Sequence, residues 1–152
     1  KRIIDNIDHF KKPNQHKVEP GKKEVQELNK SKQKDILILE DNPDNMITIK
    51  AILKGSYNLW EATNGEEGLK FVEIQKPDLI LLDMSLPNIS GQEIVNILKA
   101  DDRTKSIPII AVTAQAMIGD KEMIMGYGCD GYVSKPIDGE LLLDEINSWL
   151  SN

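Results

Sequence analysis

The chain of 152 residues is 39% hydrophobic and 29% charged, with a net charge of −6, the balance of a soluble globular domain long enough to build one core. No apolar run approaches the ~20 residues of a membrane span, and the start, KRIIDNIDHF, has no apolar signal region. One cysteine, Cys129, excludes an internal disulfide and fits a reducing compartment; in GYGCDGY it reads as a small, inert loop residue.

Residues 1–34 hold 10 Lys and Arg against 5 Asp and Glu, whereas residues 35–152 hold 9 against 20. The acidic body argues against nucleic-acid binding by the folded part. The basic leader, broken by Pro13, Pro20 and Gly21, reads as a linker or N-terminal extension, with a short helix expected over KEVQELNK. The first residue is Lys, so the chain is expected to be a piece of a longer protein. The domain boundary is placed near Lys34, with the folded domain over 35–152.

From Asp35 a pattern of strand then helix repeats five times. DILILE is an apolar, partly β-branched run and predicts a buried strand. PDNMITIKAILKG predicts a helix opened by Pro43, with apolar residues at Met46, Ile49, Ile52 and Leu53 and Gly55 as its stop. YNLWEA is a weaker strand; GEEGLKFVEIQK is a helix with Leu69, Val72 and Ile74 inward, closed by Pro77. DLILLD is a second strong strand, GQEIVNILKADD a helix with Ser90 as its cap, and IPIIAVT a strand. AMIGDKEMIMGYG predicts a helix, GYVSK a short strand, and DGELLLDEINSWLS a last helix with Leu142, Ile146 and Trp149 at helical spacing. Apolar strands alternating with helices predict an α/β fold: an open, doubly wound, five-stranded parallel sheet covered on both faces.

In such sheets the site lies beyond the carboxyl ends of the strands. Those ends are Glu40-Asp41, Asp83, Thr113 and Ser134-Lys135-Pro136. Each has a bland reading alone: acids at a helix start, a turn-initiating Asp, a strand-end Thr, a surface Lys. Their coincidence at one rim is the argument. Two carboxylates about 4 Å apart repel by roughly 4 kcal/mol at an effective dielectric near 20. A hard divalent cation such as Mg²⁺ relieves that repulsion, and with an ammonium and a hydroxyl nearby the rim suits a phosphoryl group.

The motifs LEDNPDN, PDLILLDMSLPNISG, AVTAQAM and GYVSKP, in this order and spacing, resemble the receiver domain of two-component response regulators over residues 35–150. The resemblance implies a flavodoxin-like (βα)5 sheet in the order 2-1-3-4-5, an order carried over from the family. It implies Asp83 as the phospho-acceptor from a phosphohistidine. Asp41 is then the direct Mg²⁺ ligand, Glu40 a ligand acting partly through water, and the Ser85 backbone carbonyl the third protein ligand. Glu40 stands where the family often has Asp. Lys135 and Thr113 would hold the phosphoryl oxygens, Tyr132 would be the aromatic switch, and Pro136 marks a cis peptide that holds Lys135. Ser85 and Gln115 would tune the phosphate lifetime. Phosphorylation would draw Thr113 inward, let Tyr132 rotate, and reshape the face made by the fourth helix, fifth strand and fifth helix. Met117, Met123 and Met125 lie on or near that helix, as core filler or as an adaptable partner surface.

The expected partners are a histidine kinase or a histidine phosphotransfer domain, with a downstream protein or a second copy at that face, and neither nucleic acid nor membrane. Nothing folded follows the last helix, so the chain is expected to be the end receiver of a hybrid sensor histidine kinase, in the cytoplasm, with a parent that can be membrane-anchored; the alternative is a single-domain regulator. The resemblance implies a domain that promotes its own phosphorylation and dephosphorylation without being an enzyme in the usual sense. His9 and His16 lack the helix pattern of a kinase phospho-acceptor. A haloacid-dehalogenase-type phosphohydrolase needs a second Asp two residues after Asp83, where Ser85 stands. A flavin site would need a hydroxyl- and glycine-rich loop in place of EDNPDN. A receiver-like module that is never phosphorylated would not need Asp41, Asp83, Thr113 and Lys135 together.

Overall fold

A strand covered on both faces carries apolar side chains at every position, and the strongest such runs build the centre of this fold. The structure, a computed structural model, describes residues 33–114 and 117–150. Its elements are β1 (Asp35–Leu39), α1 (Pro43–Leu53), β2 (Asn58–Ala62), α2 (Gly65–Ile74), β3 (Leu79–Asp83), α3 (Gly91–Ala100), β4 (Ile109–Thr113), α4 (Asp120–Gly126), β5 (Gly131–Ser134) and α5 (Gly139–Leu150). The strands form one parallel sheet in the order β2-β1-β3-β4-β5. This is the doubly wound, flavodoxin-like arrangement expected from the sequence.

Side chains alternate across the sheet with period two. Leu37, Leu39, Ile80, Leu82 and Ala111 share one core layer with Phe71 and Val72 of α2, Ile94, Val95 and Leu98 of α3, and Ile124 of α4. Ile36, Ile38, Leu79, Leu81, Ile110 and Val112 share the other with Met46, Ile49 and Leu53 of α1 and Leu142 and Ile146 of α5. All strands run the same way, so every carboxyl end lies at one rim.

The helix starts follow capping chemistry. Asn42 Oδ1 accepts the N–H groups of Asp44 (2.9 Å) and Asn45 (3.1 Å), with Pro43 at the first helical position. Ser90 Oγ accepts Glu93 N–H at 3.2 Å, as its position predicts. Gly55 follows α1 with φ +87°, a conformation that favours glycine.

The structure refines several sequence expectations and corrects one, the start of the fourth helix. In α2 the deepest residue is Phe71, fully buried and 5.2 Å from the Trp60 ring, whereas Leu69 and Ile74 are only half-buried. In α1, Met46, Ile49 and Leu53 are buried and Ile52 packs partly against the same core layer. Trp149 is 40% exposed, although its neighbour Leu150 packs partly against the core. The helix α4 starts at Asp120, not residue 116: Gly119, at φ +97°, breaks the helical backbone and supplies no side-chain cap. Met117 and Met123 are exposed and Met125 packs partly against the core. The helix expected over KEVQELNK lies outside the described residues.

Candidate functional site

Parallel register carries the acidic strand ends to one place. Asp83 closes β3 beside Val112 of β4, and Leu39, the last residue of β1, pairs with Leu82. Glu40 follows directly, its N–H bonded to the Ala62 carbonyl at 3.0 Å, which directs its side chain to the rim. Thr113 pairs with Ser134, and the Lys135 N–H bonds the Thr113 carbonyl at 2.8 Å, so Lys135 leaves β5 toward the same point. The Lys135–Pro136 peptide is cis.

At that point Lys135 Nζ lies 2.9 Å from Glu40 Oε1 and 3.3 Å from Asp83 Oδ2. Asp83 Oδ1 accepts the Ser85 N–H at 2.9 Å. Glu40 is 1% exposed and Asp83 5%. Asp41 is exposed, and one carboxylate oxygen each from Glu40, Asp41 and Asp83 lies within 4.8 Å of the others. Thr113 is fully buried. Tyr132, the second residue of β5 and paired with Ala111, is half-buried against the α2–α4 core layer. Ser85 is exposed on the loop after β3. Gln115 lies outside the described residues. The structure thus gathers Glu40, Asp41, Asp83 and Lys135 directly.

Burial pushes the Glu40 carboxyl up to about 7, and its contact with Asp83 adds to this, outweighing the pull of Lys135. Burial also opposes charge on Asp83, but the bond from Glu40, the Ser85 N–H and the Lys135 ammonium together hold its carboxyl below the ordinary aspartate value. Burial works against Lys135 as well; Glu40 and Asp83 outweigh it and hold the amine above its usual value. Of these two coupled carboxyls Glu40 is the one that takes up a proton as the pH falls below about 7, while Asp83 stays ionised.

The donor set fits a hard cation: three carboxylates, two buried and one open to solvent, with no nitrogen or sulfur donor in the cluster. A divalent ion would replace the Glu40 proton.

Sequence reasoning missed two supports of this site. Asn42 fixes the turn that carries Asp41 by capping α1; an Asn-Pro pair after the acids signalled it. Gly91 backs the loop after Asp83; a glycine directly after the Ser90 cap was its signal.

Comparison with known proteins agrees with this geometry. The response regulator receiver domain family matches residues 36–147. The polar-differentiation response regulator DivK of Brucella anthropi is 42% identical over 120 residues, covering 78% of this chain and 98% of that protein. The receiver domain of a sensor histidine kinase from Pseudomonas aeruginosa, solved with a magnesium ion in its active-site cleft, superposes with a TM-score of 0.72 at 31% identity, over 79% of this chain and 99% of that one. The receiver domain of a signal transduction histidine kinase from Syntrophus aciditrophicus gives 0.71 at 29% identity, over 78% and 90%. With the fold and the acidic rim already in place, the match over residues 36–147 means that this chain belongs to the receiver domain family of response regulators, the phosphoacceptors of two-component signalling.

Proposed function

We propose that Asp83 is the phosphoacceptor. Its carboxylate attacks the phosphorus of a phosphohistidine; an O–P bond forms, the N–P bond breaks, and the imidazole leaves with the bond's electron pair. The observation that carries this reading is the Lys135 ammonium, held between two buried carboxylates at the carboxyl edge of the sheet. Asp83 stays ionised there and keeps a nucleophilic oxygen. Lys135 is placed to pair with the incoming phosphoryl oxygens, and Thr113 to donate its hydroxyl to them. Hydrolysis of the acyl phosphate by water returns the carboxylate, so the domain promotes both its own phosphorylation and its own dephosphorylation.

Mg²⁺ bound by Glu40, Asp41, Asp83 and the Ser85 carbonyl would supply positive charge to the phosphoryl oxygens during transfer. The acidic cluster supports this, as does the magnesium named in the P. aeruginosa relative. Charge added at Asp83 acts through Thr113 and Tyr132 on the face of α4, β5 and α5, where Met123, Leu141 and Trp149 are exposed, and changes what binds there. The phosphoryl donor is a histidine kinase or a histidine phosphotransfer domain, and the acceptor of the signal is a downstream protein or a second copy.

Two parent chains are consistent with a receiver over residues 35–152. An end receiver of a hybrid sensor kinase is supported by the two kinase receivers that share the fold. A single-domain regulator is supported by DivK, whose length the match spans almost completely. Among the described residues no helix is long and apolar enough to cross a membrane, and a cytoplasmic site suits either parent.

Intact mass after acetyl phosphate with Mg²⁺ tests the acceptor. The expected result is one added phosphoryl group on the wild type and none on Asp83→Asn. Equal addition to both places the acceptor elsewhere.

A further inference from the structure

Gly91 is the first residue of α3 and is buried. A Cβ at this position would lie 2.8 Å from the Cα of Met84, 2.8 Å from its Sδ and 2.9 Å from its Cε. Of these three, the Cα is backbone and has no rotamer with which to move away. Met84 is the single residue between Asp83 and Ser85. Its N–H bonds the Val112 carbonyl at 3.2 Å, and the next N–H, that of Ser85, bonds Asp83 Oδ1 at 2.9 Å.

We infer that Gly91 is a positioning residue for phosphoryl transfer: its missing side chain lets the start of α3 rest on the Met84 backbone and fixes the turn that aims the Asp83 carboxylate. This deepens the proposed function and rests on Asp83 as acceptor. A methyl at residue 91 must push Met84, and two outcomes are open to the loop. Either the Met84 N–H leaves Val112, or the Ser85 N–H leaves Asp83. Both turn the Asp83 carboxylate away from the geometry shared with Glu40 and Asp41.

Gly65 provides the contrast. It too is the buried first residue of a helix, following the Asn64 cap. A Cβ there would meet Ile94 Cδ1 at 2.7 Å, with Ile89 Cβ at 3.2 Å and Ile94 Cγ1 at 3.3 Å. The only severe contact is the tip of a flexible side chain, which can rotate. Helix propensity treats the two substitutions alike, so a larger effect of Gly91→Ala on phosphorylation and Mg²⁺ binding reports the backbone contact with Met84.

The test compares Gly91→Ala with Gly65→Ala in the full chain, at a temperature where circular dichroism shows both folded. The readouts are the rate of phosphorylation by acetyl phosphate and the affinity for Mg²⁺ alone by calorimetry. Misplacement by a fraction of an ångström predicts roughly ten- to a hundredfold slower phosphorylation and weaker Mg²⁺ binding for Gly91→Ala, with Gly65→Ala within about twofold of wild type in both. A Gly91→Ala chain that loses thermal stability yet keeps both properties within about twofold overturns the inference. If Gly91→Ala fails to fold, Gly91→Ala with Met84→Ala removes the Sδ and Cε contacts and leaves the backbone one. Slow phosphorylation is still expected of that double variant, and a wild-type rate would refute the backbone contact. Asp83→Asn run in parallel separates the two readings: if it is phosphorylated, the acceptor assignment fails; if it is not and Gly91→Ala is unimpaired, only the positioning role fails.

Discussion

Lys135 Nζ stands 2.9 Å from Glu40 Oε1, so the end of β5 is tied to the end of β1 across 95 residues by an ion pair whose acid is 1% exposed. A buried acid that loses its cation costs about 3–5 kcal/mol unless it can take up a proton. Lys135→Met is therefore expected to lose roughly that amount of stability at pH 8 without Mg²⁺ and clearly less at pH 5.5, where Glu40 is neutral. Added Mg²⁺ should bind the variant more tightly than wild type, because the competing ammonium is gone, while phosphorylation slows. Urea titrations at the two pH values check the first statement; a loss that is equal at both would show that Glu40 does not respond to Lys135.

The Glu40 carboxyl, raised to about 7 from 4.5, sets the pH dependence of the site. Between those values the folded chain holds a proton that the unfolded chain has released. Stability without Mg²⁺ therefore falls as pH rises through about 4.5 to about 7, and levels off above. Asp83, held below its ordinary value, contributes in the opposite sense and only in more acidic solution. Because Mg²⁺ must displace the Glu40 proton, its affinity should rise about tenfold per pH unit up to neutrality and then flatten. Calorimetry at pH 6 in two buffers of different ionisation enthalpy should show about one proton released per ion, and Glu40→Gln none. No release from the wild type at pH 6 would remove the Glu40 proton from the account.

Much of this arrangement was legible in the chain itself. Uninterrupted apolar runs can only be covered strands here, and charges that end such runs must sit at the rim, which is where Glu40, Asp41, Asp83 and Lys135 meet. The pairing of Lys135 with Glu40 was not legible, since nothing local joins β1 to β5. The inward face of α2 is legible at Val72 but not in full, because glycines mark it. A Cβ at Gly68 would collide with the side chain of Leu39, so this face carries Gly68, Phe71 and Val72, and apolar spacing shows only part of it. The start of α4 was lost to Gly119, whose left-handed backbone no apolar period reveals. Gly91 carries no chemistry of its own and shows its use only through Met84.

Thr113 gives a test of the switch that leaves the acceptor intact. It is fully buried at the end of β4, and its carbonyl holds the Lys135 N–H. Thr113→Val keeps the shape and that backbone bond while removing the hydroxyl. The expected outcome is that Asp83 is still phosphorylated, but that amide shifts caused by Mg²⁺ with beryllofluoride no longer reach residues 119–134. Shifts of wild-type size around Tyr132 in this variant would mean that the signal bypasses the hydroxyl.

Lys99 makes the opposite prediction, stability without chemistry. Its ammonium, at the end of α3, donates to Asp130 Oδ2 at 2.7 Å and to the carbonyls of Lys105 and Ile107 at 3.1 Å each. Asp130 in turn accepts the Ile109 N–H at 2.8 Å and donates its own N–H to the Ile109 carbonyl at 2.8 Å. One cation thus pins α3, the loop before β4 and the loop before β5 at the end of the sheet opposite Asp83. Both side chains are less than one-third exposed, so water does not replace the lost partner freely. Lys99→Met keeps the apolar stem and leaves three acceptors short of a donor, for an expected loss of about 1–3 kcal/mol in urea unfolding. Asp130→Asn added to Lys99→Met should cost little more, because the acid has already lost its charged partner. Phosphorylation of Asp83 by acetyl phosphate should proceed at the wild-type rate in both. An unchanged unfolding midpoint would class Lys99–Asp130 with solvated surface pairs, and a slowed phosphorylation would mean that the pinned end of β4 transmits to the site.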